Sequence, residues 1–497
     1  MKKCLQDLVA FYKLLILTIL SPLPNSVSFQ ECIKPVEIEK STGSITGAKL
    51  KIEQDEAYME VENQPLEKLK KVEITLADCL ACSGCITSAE SILISQQSHE
   101  ELLRIFQQKV QQQKSEREKS IFIVVSLAVQ PVLSLAENYK LEPEQCMKKL
   151  AGFFYELGAD CVLDMTTADD FSLLESAKEF VERFKAKEEG IKKKLPMLAS
   201  SCPGFICYAE KTHGNFILPY ISETKSAQQI MGSIVKYHLA EAKGLPPEQV
   251  YHVTLMPCYD KKLEASRDDF YNKERGAKDV DCVITTVEIQ QMLNEKNIAL
   301  NDIYEANLKK PFGSYSNTID NTLWGHSGSG SGGYADFIFR YAARNIFHEN
   351  IDTVKFKNLR NPDFQEAILE KDGKILLRFA IVNGFRNIQN IVQKLKRDKC
   401  PYDYVEIMAC PCGCMNGGAQ IRPEENSSNS QDKPRELASK LEEMLHCLPQ
   451  IDPETNSVTQ DLYRTWLGSE HTDKSMAFLH TQYHEIEKVN TALAIKW

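Results

Sequence analysis

An α/β fold is predicted by this 497-residue sequence, and three observations carry the prediction. Short apolar runs of strand length recur along the chain. Amphipathic stretches with apolar residues at helical spacing stand between them, which is βαβα order. With 43 % hydrophobic and 26 % charged residues, the chain can bury a large core, divide into two or three domains and escape intrinsic disorder.

The elements follow in order. Residues 1–20, MKKCLQDLVAFYKLLILTIL, place two lysines before an apolar run and resemble a signal peptide or short membrane anchor. Lys13 interrupts that run, the stretch 14–20 is far short of a spanning helix, and no small-x-small cleavage site follows, so export is not expected. Residues 30–70 are polar and mixed, and DCLACSGC at 78–85 is the first dense motif. The polar QQKVQQQKSEREK at 107–119 reads as a solvated helix or a linker, with a boundary near residue 115. Beyond it come strand-like 121–127, helical 144–157, strand-like 161–165 and helical 171–184. Strand-like 196–200, helical 228–241, strand-like 251–256 and 281–286, and helical 287–295 continue the alternation. Such runs suit buried parallel strands.

HSGSGSGG at 326–333 is either a flexible loop or backbone that passes close to a cofactor where side chains would not fit. Helical 334–347, strand-like 375–382, helical 388–396 and strand-like 404–409 follow, then a surface loop at 424–433 and a helix at 434–448. No internal repeat of fixed period is visible. The predicted divisions are an atypical segment 1–29, an N-terminal module 30–115, a large domain 116–450 and a C-terminal helical tail 451–497. Lys plus Arg number 59 against 69 Asp plus Glu, a net charge of −10, which argues against nucleic-acid or anionic-membrane partners.

Sixteen cysteines carry most of the chemical information. Cys79, Cys82 and Cys85 form C-x2-C-x2-C, a spacing that wraps one tight loop around the corners of an iron-sulfur cube. Zinc sites pair two such knuckles or add histidines, whereas here no second knuckle follows closely and the nearest histidine is His99. A fourth ligand is needed. Cys32 in ECIKP is assigned to that place, with an incidental thiol as the competing reading.

A second set is spread more widely: Cys202 in SSCPGF, Cys258 in MPCYDKKLE, and Cys410 with Cys414 in MACPCGCMNGGAQ. Each segment follows a predicted strand, and in open α/β sheets sites form beyond the carboxyl ends of strands. Four thiolates converging there would hold a second cluster, while the competing reading is ordinary buried cysteines. Flanking Pro and Gly turn the chain sharply and free backbone N–H groups for cluster sulfurs. The ten histidines show no ligand spacing. Cys4, Cys146, Cys161, Cys207, Cys282, Cys400 and Cys447 are expected to pack as small hydrophobes.

SSCPGF, MPCYDKKLE and MACPCGCMNGGAQ resemble the three signature segments of the iron-only hydrogenase catalytic domain, over roughly residues 70–450. With DCLACSGC, ECIKP, LPMLASSCPGFICYAEKTHG and RNIQNIVQKLKR, the chain is similar to the eukaryotic Nar-type branch. That branch comprises the nuclear prelamin A recognition factor-like proteins, or cytosolic iron-sulfur assembly component 3. The resemblance implies two parallel-sheet lobes flanked by helices, with a small N-terminal ferredoxin-like cluster module. It also implies a non-enzymatic factor of the cytosol, and of the nucleus as a second compartment, that carries two [4Fe-4S] clusters toward apo iron-sulfur proteins.

Hydrogenases carry a proton-donating cysteine immediately before the CPG cysteine, and this chain has Ser201, which argues against hydrogen chemistry. Lys261, Glu264 and Met408 match the hydrogenase pattern and are expected to support the second cluster. Two departures stand out: Cys412, with an alternative ligand or a redox thiol as its competing readings, lies between Cys410 and Cys414, and Ala419 replaces a glycine. Trp497 at the chain end implies docking on the targeting complex of the assembly machinery, although Lys496 departs from the acidic or small residue expected before it; packing of Trp497 on the core is the competing reading. A hydrogenase-type redox enzyme, a lamin-tail binding protein and a zinc-based structural role are the other functional readings.

Overall fold

Thirteen short strands and the helices between them account for the alternation in the sequence, in a computed structural model that describes residues 50–52, 58–60, 88–114, 120–190, 195–199, 201–313, 322–422, 433–469 and 472–486. The chain divides into two compact units, Met1–Ser88 and Ala89–Trp497. In the first, the described residues are β1 (Leu50–Ile52) and β2 (Tyr58–Glu60), an antiparallel pair with Lys51 opposite Met59. Cys32, Cys79, Cys82 and Cys85 lie outside the described residues, as do the expected segment 1–29 and ferredoxin-like module around the motif.

In chain order the second unit carries β3 (Phe122–Leu127), β4 (Cys161–Asp164), β5 (Met197–Leu198), β6 (Val250–Met256), β7 (Tyr271–Asn272), β8 (Ala277–Lys278) and β9 (Cys282–Thr285). There follow β10 (Lys357–Asn358), β11 (Phe364–Lys371), β12 (Lys374–Asn383) and β13 (Tyr404–Met408). One sheet has the order β4-β3-β6-β9 and is parallel throughout, with Val124 opposite Cys161 and His252. The other has the order β10-β11-β12-β13-β5. Within it β12, β13 and β5 are parallel, but β10 and β11 are antiparallel, which the sequence reading did not anticipate.

The strands of the first sheet, with β5, β13 and the second half of β12, are buried, which is why they read as continuous apolar runs, whereas β10 and β11 are largely exposed. In β3, Ile123 and Val125 enter one core cluster and Val124 the other, as alternation across a strand requires. The shared cluster joins Val124 and Leu163 of the first sheet to Phe379, Ile381 and Tyr404 of the second through helices Thr166–Glu188 and Tyr334–Phe347. Phe379 sits at its centre, with ring centroids 5.0 Å from Phe180, 5.1 Å from Phe339 and 5.1 Å from Tyr404. Truncating such a fully buried ring costs about 3–5 kcal/mol.

Helix His99–Lys114 buries Leu102, Ile105 and Phe106 against the first sheet, so the polar stretch from 107 is the outer continuation of a docked helix. Val458, Leu462, Tyr463, Trp466 and Leu479 of the C-terminal region enter the shared core. Trp497 lies outside the described residues. Among the described residues no helix is long and apolar enough to cross a membrane.

Candidate metal centre

Three loops leave the carboxyl ends of β5, β6 and β13, and these carry Cys202, Cys258, Cys410 and Cys414. Cys202 caps helix Pro203–Thr212, whose Pro at the first turn needs no N–H partner, and a helix N-terminus favours a thiolate. Its Sγ accepts the Ala409 N–H at 3.3 Å, which ties the β5 loop to the first residue past β13. The Phe205 N–H also favours its thiolate, as does the Gly418 N–H for Cys410.

Cys258 follows Pro257, whose carbonyl accepts the Ala419 N–H at 3.1 Å. That contact joins the β6 loop to the β13 loop. It demands Gly417, where a Cβ would meet the Pro257 oxygen at 2.4 Å. Gly204 is the matching close approach on the β5 side, with Asp260 Oδ2 at 2.6 Å and the Ala409 Cβ at 3.2 Å from where its own Cβ would stand.

The glycine-serine stretch behaves as a brace. Ser331 Oγ accepts the Cys414 N–H at 3.0 Å. Ser329 donates to Glu406 Oε1 and the Ala335 N–H donates to Glu406 Oε2 at 2.7 Å, which satisfies a fully buried carboxyl on β13. Burial still pushes that carboxyl up to about 7. His326 closes the stretch on Asp170 at 2.6 Å.

The four thiols are half-buried and face one another electrostatically. Burial, followed by the Asp260 carboxylate and the other three thiols, pushes Cys258 well above its ordinary value. Burial and the neighbouring Cys202 push Cys414 up to about 12. Four thiols so placed keep their protons at neutral pH unless a metal group replaces them, and the all-sulfur donor set fits an iron-sulfur cluster. Among the described residues no group of three or more His, Cys, Asp or Glu closes on a single metal-ion position.

Lys261 pairs with Glu264 at 3.1 Å, and Glu264 accepts from Ser226 at 2.6 Å, Gln228 at 3.1 Å and Gln229 at 3.3 Å. Met408 Sδ lies 3.8 Å from Cys414 Sγ. Ser201 Oγ is buried with no hydrogen-bond partner among the described residues. Cys412 sits apart: its backbone is left-handed at φ 60°, its N–H donates to Asp363 at 2.7 Å, and its thiol feels Asp363, Arg435 and Glu442 rather than the four others. Burial pushes that thiol up to about 11. Cys146, Cys161 and Cys282 are buried as expected, but Cys447 is exposed near its helix end, where a small hydrophobe has nothing to pack on. The bracing serines Ser329 and Ser331 had no assigned role in the sequence, although the stretch that holds them was visible as unusual.

Two α/β sheets whose strand-end loops bring four cysteines together define a protein of the iron-only hydrogenase class. The C-terminal domain of the iron-only hydrogenase large subunit matches residues 121–418. Among solved structures, the [FeFe]-hydrogenase HydA1 from Chlamydomonas reinhardtii superposes with a TM-score of 0.65 at 27 % identity, over 77 % of this chain and 99 % of that one. A probable cytosolic Fe-S cluster assembly factor of Anopheles gambiae is 55 % identical over 94 % of this chain and 96 % of its own length. The cytosolic Fe-S cluster assembly factor narfl of Xenopus tropicalis is 51 % identical over the same shares. The chain belongs to the iron-only hydrogenase-like family, in its branch of cytosolic Fe-S cluster assembly factors.

Proposed function

We propose that this protein is a non-enzymatic iron-sulfur carrier and adaptor of the cytosolic cluster assembly machinery. In this reading Cys202, Cys258, Cys410 and Cys414 hold one [4Fe-4S] cluster, and Cys32, Cys79, Cys82 and Cys85 hold another. Its field of action is the cytosol and the nucleus, its clients are apo iron-sulfur proteins, and Trp497 is its contact with the targeting complex. The relatives' names support the assembly role. The observation that carries the ligand set is the convergence of four mutually coupled thiols from three strand ends, with backbone N–H groups turned toward their sulfurs.

A bound cluster supplies exchangeable iron and sulfide and one-electron redox chemistry. The chain's own residues fix the sulfurs, shield them and satisfy them: Ala409 donates to Cys202, and Ser331 fixes the backbone of Cys414. Ser201 argues against hydrogen chemistry, because an alcohol is too weak an acid to relay protons near neutral pH.

The test is iron and acid-labile sulfide in anaerobically purified full-length protein, beside a variant with Cys79, Cys82 and Cys85 changed to Ala. The expected result is about eight irons falling to about four. Zinc in place of iron, or about four irons in both proteins, overturns the reading. Infrared bands from cyanide and carbon monoxide ligands would favour a hydrogenase-type enzyme instead.

A further inference from the structure

Four thiolates around a cluster leave net negative charge in a half-buried site, and one-electron reduction deepens it. Positive charge nearby therefore decides how easily such a site is reduced. Lys261 lies within electrostatic reach of Cys202 and Cys414, but its ammonium is neutralised by Glu264 at 3.1 Å. The pair acts on the sulfurs as a dipole.

Arg422 differs. It is partly buried, and its guanidinium donates to Asn416 Oδ1, to the Asn416 carbonyl at 3.3 Å and to the Gly417 carbonyl at 3.3 Å. All three acceptors are neutral, and all belong to the turn that begins at Cys414. Burial works against its charge, and the groups that favour the charge are Cys410 and Cys412, with no carboxylate of the described residues among them. A guanidinium withdrawn from water without a carboxylate is costly unless another anion compensates it. The anion at hand is Cys410 of the four-cysteine centre, with Cys412 beside it.

We infer that Arg422 is the counter-charge of that centre, a positioning residue that raises the reduction potential of the cluster held there while its planar fork fixes the 414–417 turn. The inference rests on the ligand set proposed above. Removing the charge disfavours the reduced, more negative form more than the oxidised form, so the midpoint falls. Lysine keeps the charge but loses the fork.

The test is a redox titration followed by electron paramagnetic resonance on the full chain, with Cys79, Cys82 and Cys85 changed to Ala so that one site is read. Arg422→Gln and Arg422→Lys are compared with Arg422 intact, and iron is assayed in each. Arg422→Gln is expected to shift the reduction equilibrium about tenfold or more against the reduced form, a fall of about 59 mV for one electron. Arg422→Lys is expected to shift it by less than half of that. Iron bound with one midpoint in all three proteins overturns the inference and leaves the ligand set standing. Equal falls for Gln and Lys also overturn it, since bracing alone would then explain both. No iron in the protein with Arg422 intact overturns the ligand set and the inference together. Should Arg422→Gln hold no iron, Arg422→Lys decides: iron retained near the original midpoint supports the counter-charge, and iron lost there too overturns it.

Discussion

At Gly417 a methyl group would stand 2.4 Å from the Pro257 oxygen and 3.1 Å from that of Cys414, so one added carbon pushes two cysteine loops apart. Gly417→Ala is expected to break the Ala419 N–H bond to Pro257 and to empty the four-cysteine centre, leaving the fold intact. Iron analysis should fall from about eight to about four per chain while far-ultraviolet circular dichroism is unchanged; full iron content would refute the argument. Ala419 is a milder departure, for it is already fully buried and its N–H makes the required bond. Residue identity was the legible part of this site, because cysteines with Pro and Gly neighbours announce themselves. Glu406 did not. It reads as a polar interruption of a strand, and only Ser329 and the Ala335 N–H explain why it can be buried.

Strand β6 leads into the loop of Cys258 and carries His252 in its buried middle. His252 Nδ1 faces the Asp279 carbonyl at 3.1 Å and so must donate, which leaves Nε2 to accept from Ser126 Oγ at 2.9 Å. The ring is neutral, and burial drives its pKa down to about 3. The sign follows from linkage: between about 3 and the ordinary 6.5 the unfolded chain binds a proton that the folded one refuses. Stability from this group is complete above 6.5 and lost as pH falls toward 3, by up to about 1.4 kcal/mol per pH unit. Urea denaturation at pH 7, 6 and 5 should show that slope, and His252→Gln should flatten it. Among the elements, strands and helices flanked by apolar periodicity were legible. Helices Val129–Tyr139 and Pro203–Thr212 were not, since Pro near the start of each reads as a turn although it suits a first helical turn. The β11–β12 hairpin was missed because its outer strand is half exposed. Asp372-Gly373, both at positive φ, was the available signal.

Core side chains from both sheets meet in one cluster, so the loops at the strand ends are held by the packing of the whole second unit rather than by their own sequence. Cys79, Cys82 and Cys85, by contrast, crowd into seven consecutive positions of the smaller unit Met1–Ser88. The cluster proposed there is expected to bleach first in air, followed by electron paramagnetic resonance of the two signals; the N-terminal signal outlasting the other would sink the idea. The sequence by itself determined the α/β class, the cysteine motifs and the family resemblance, because periodicity, residue chemistry and spacing are properties of neighbours along the chain. Tertiary structure decided which strand ends lie side by side. Ala409 reaches Cys202 across 207 positions and Ser331 reaches Cys414 across 83, and no local spacing encodes such pairs, which form only when two sheets pack on a shared helical layer.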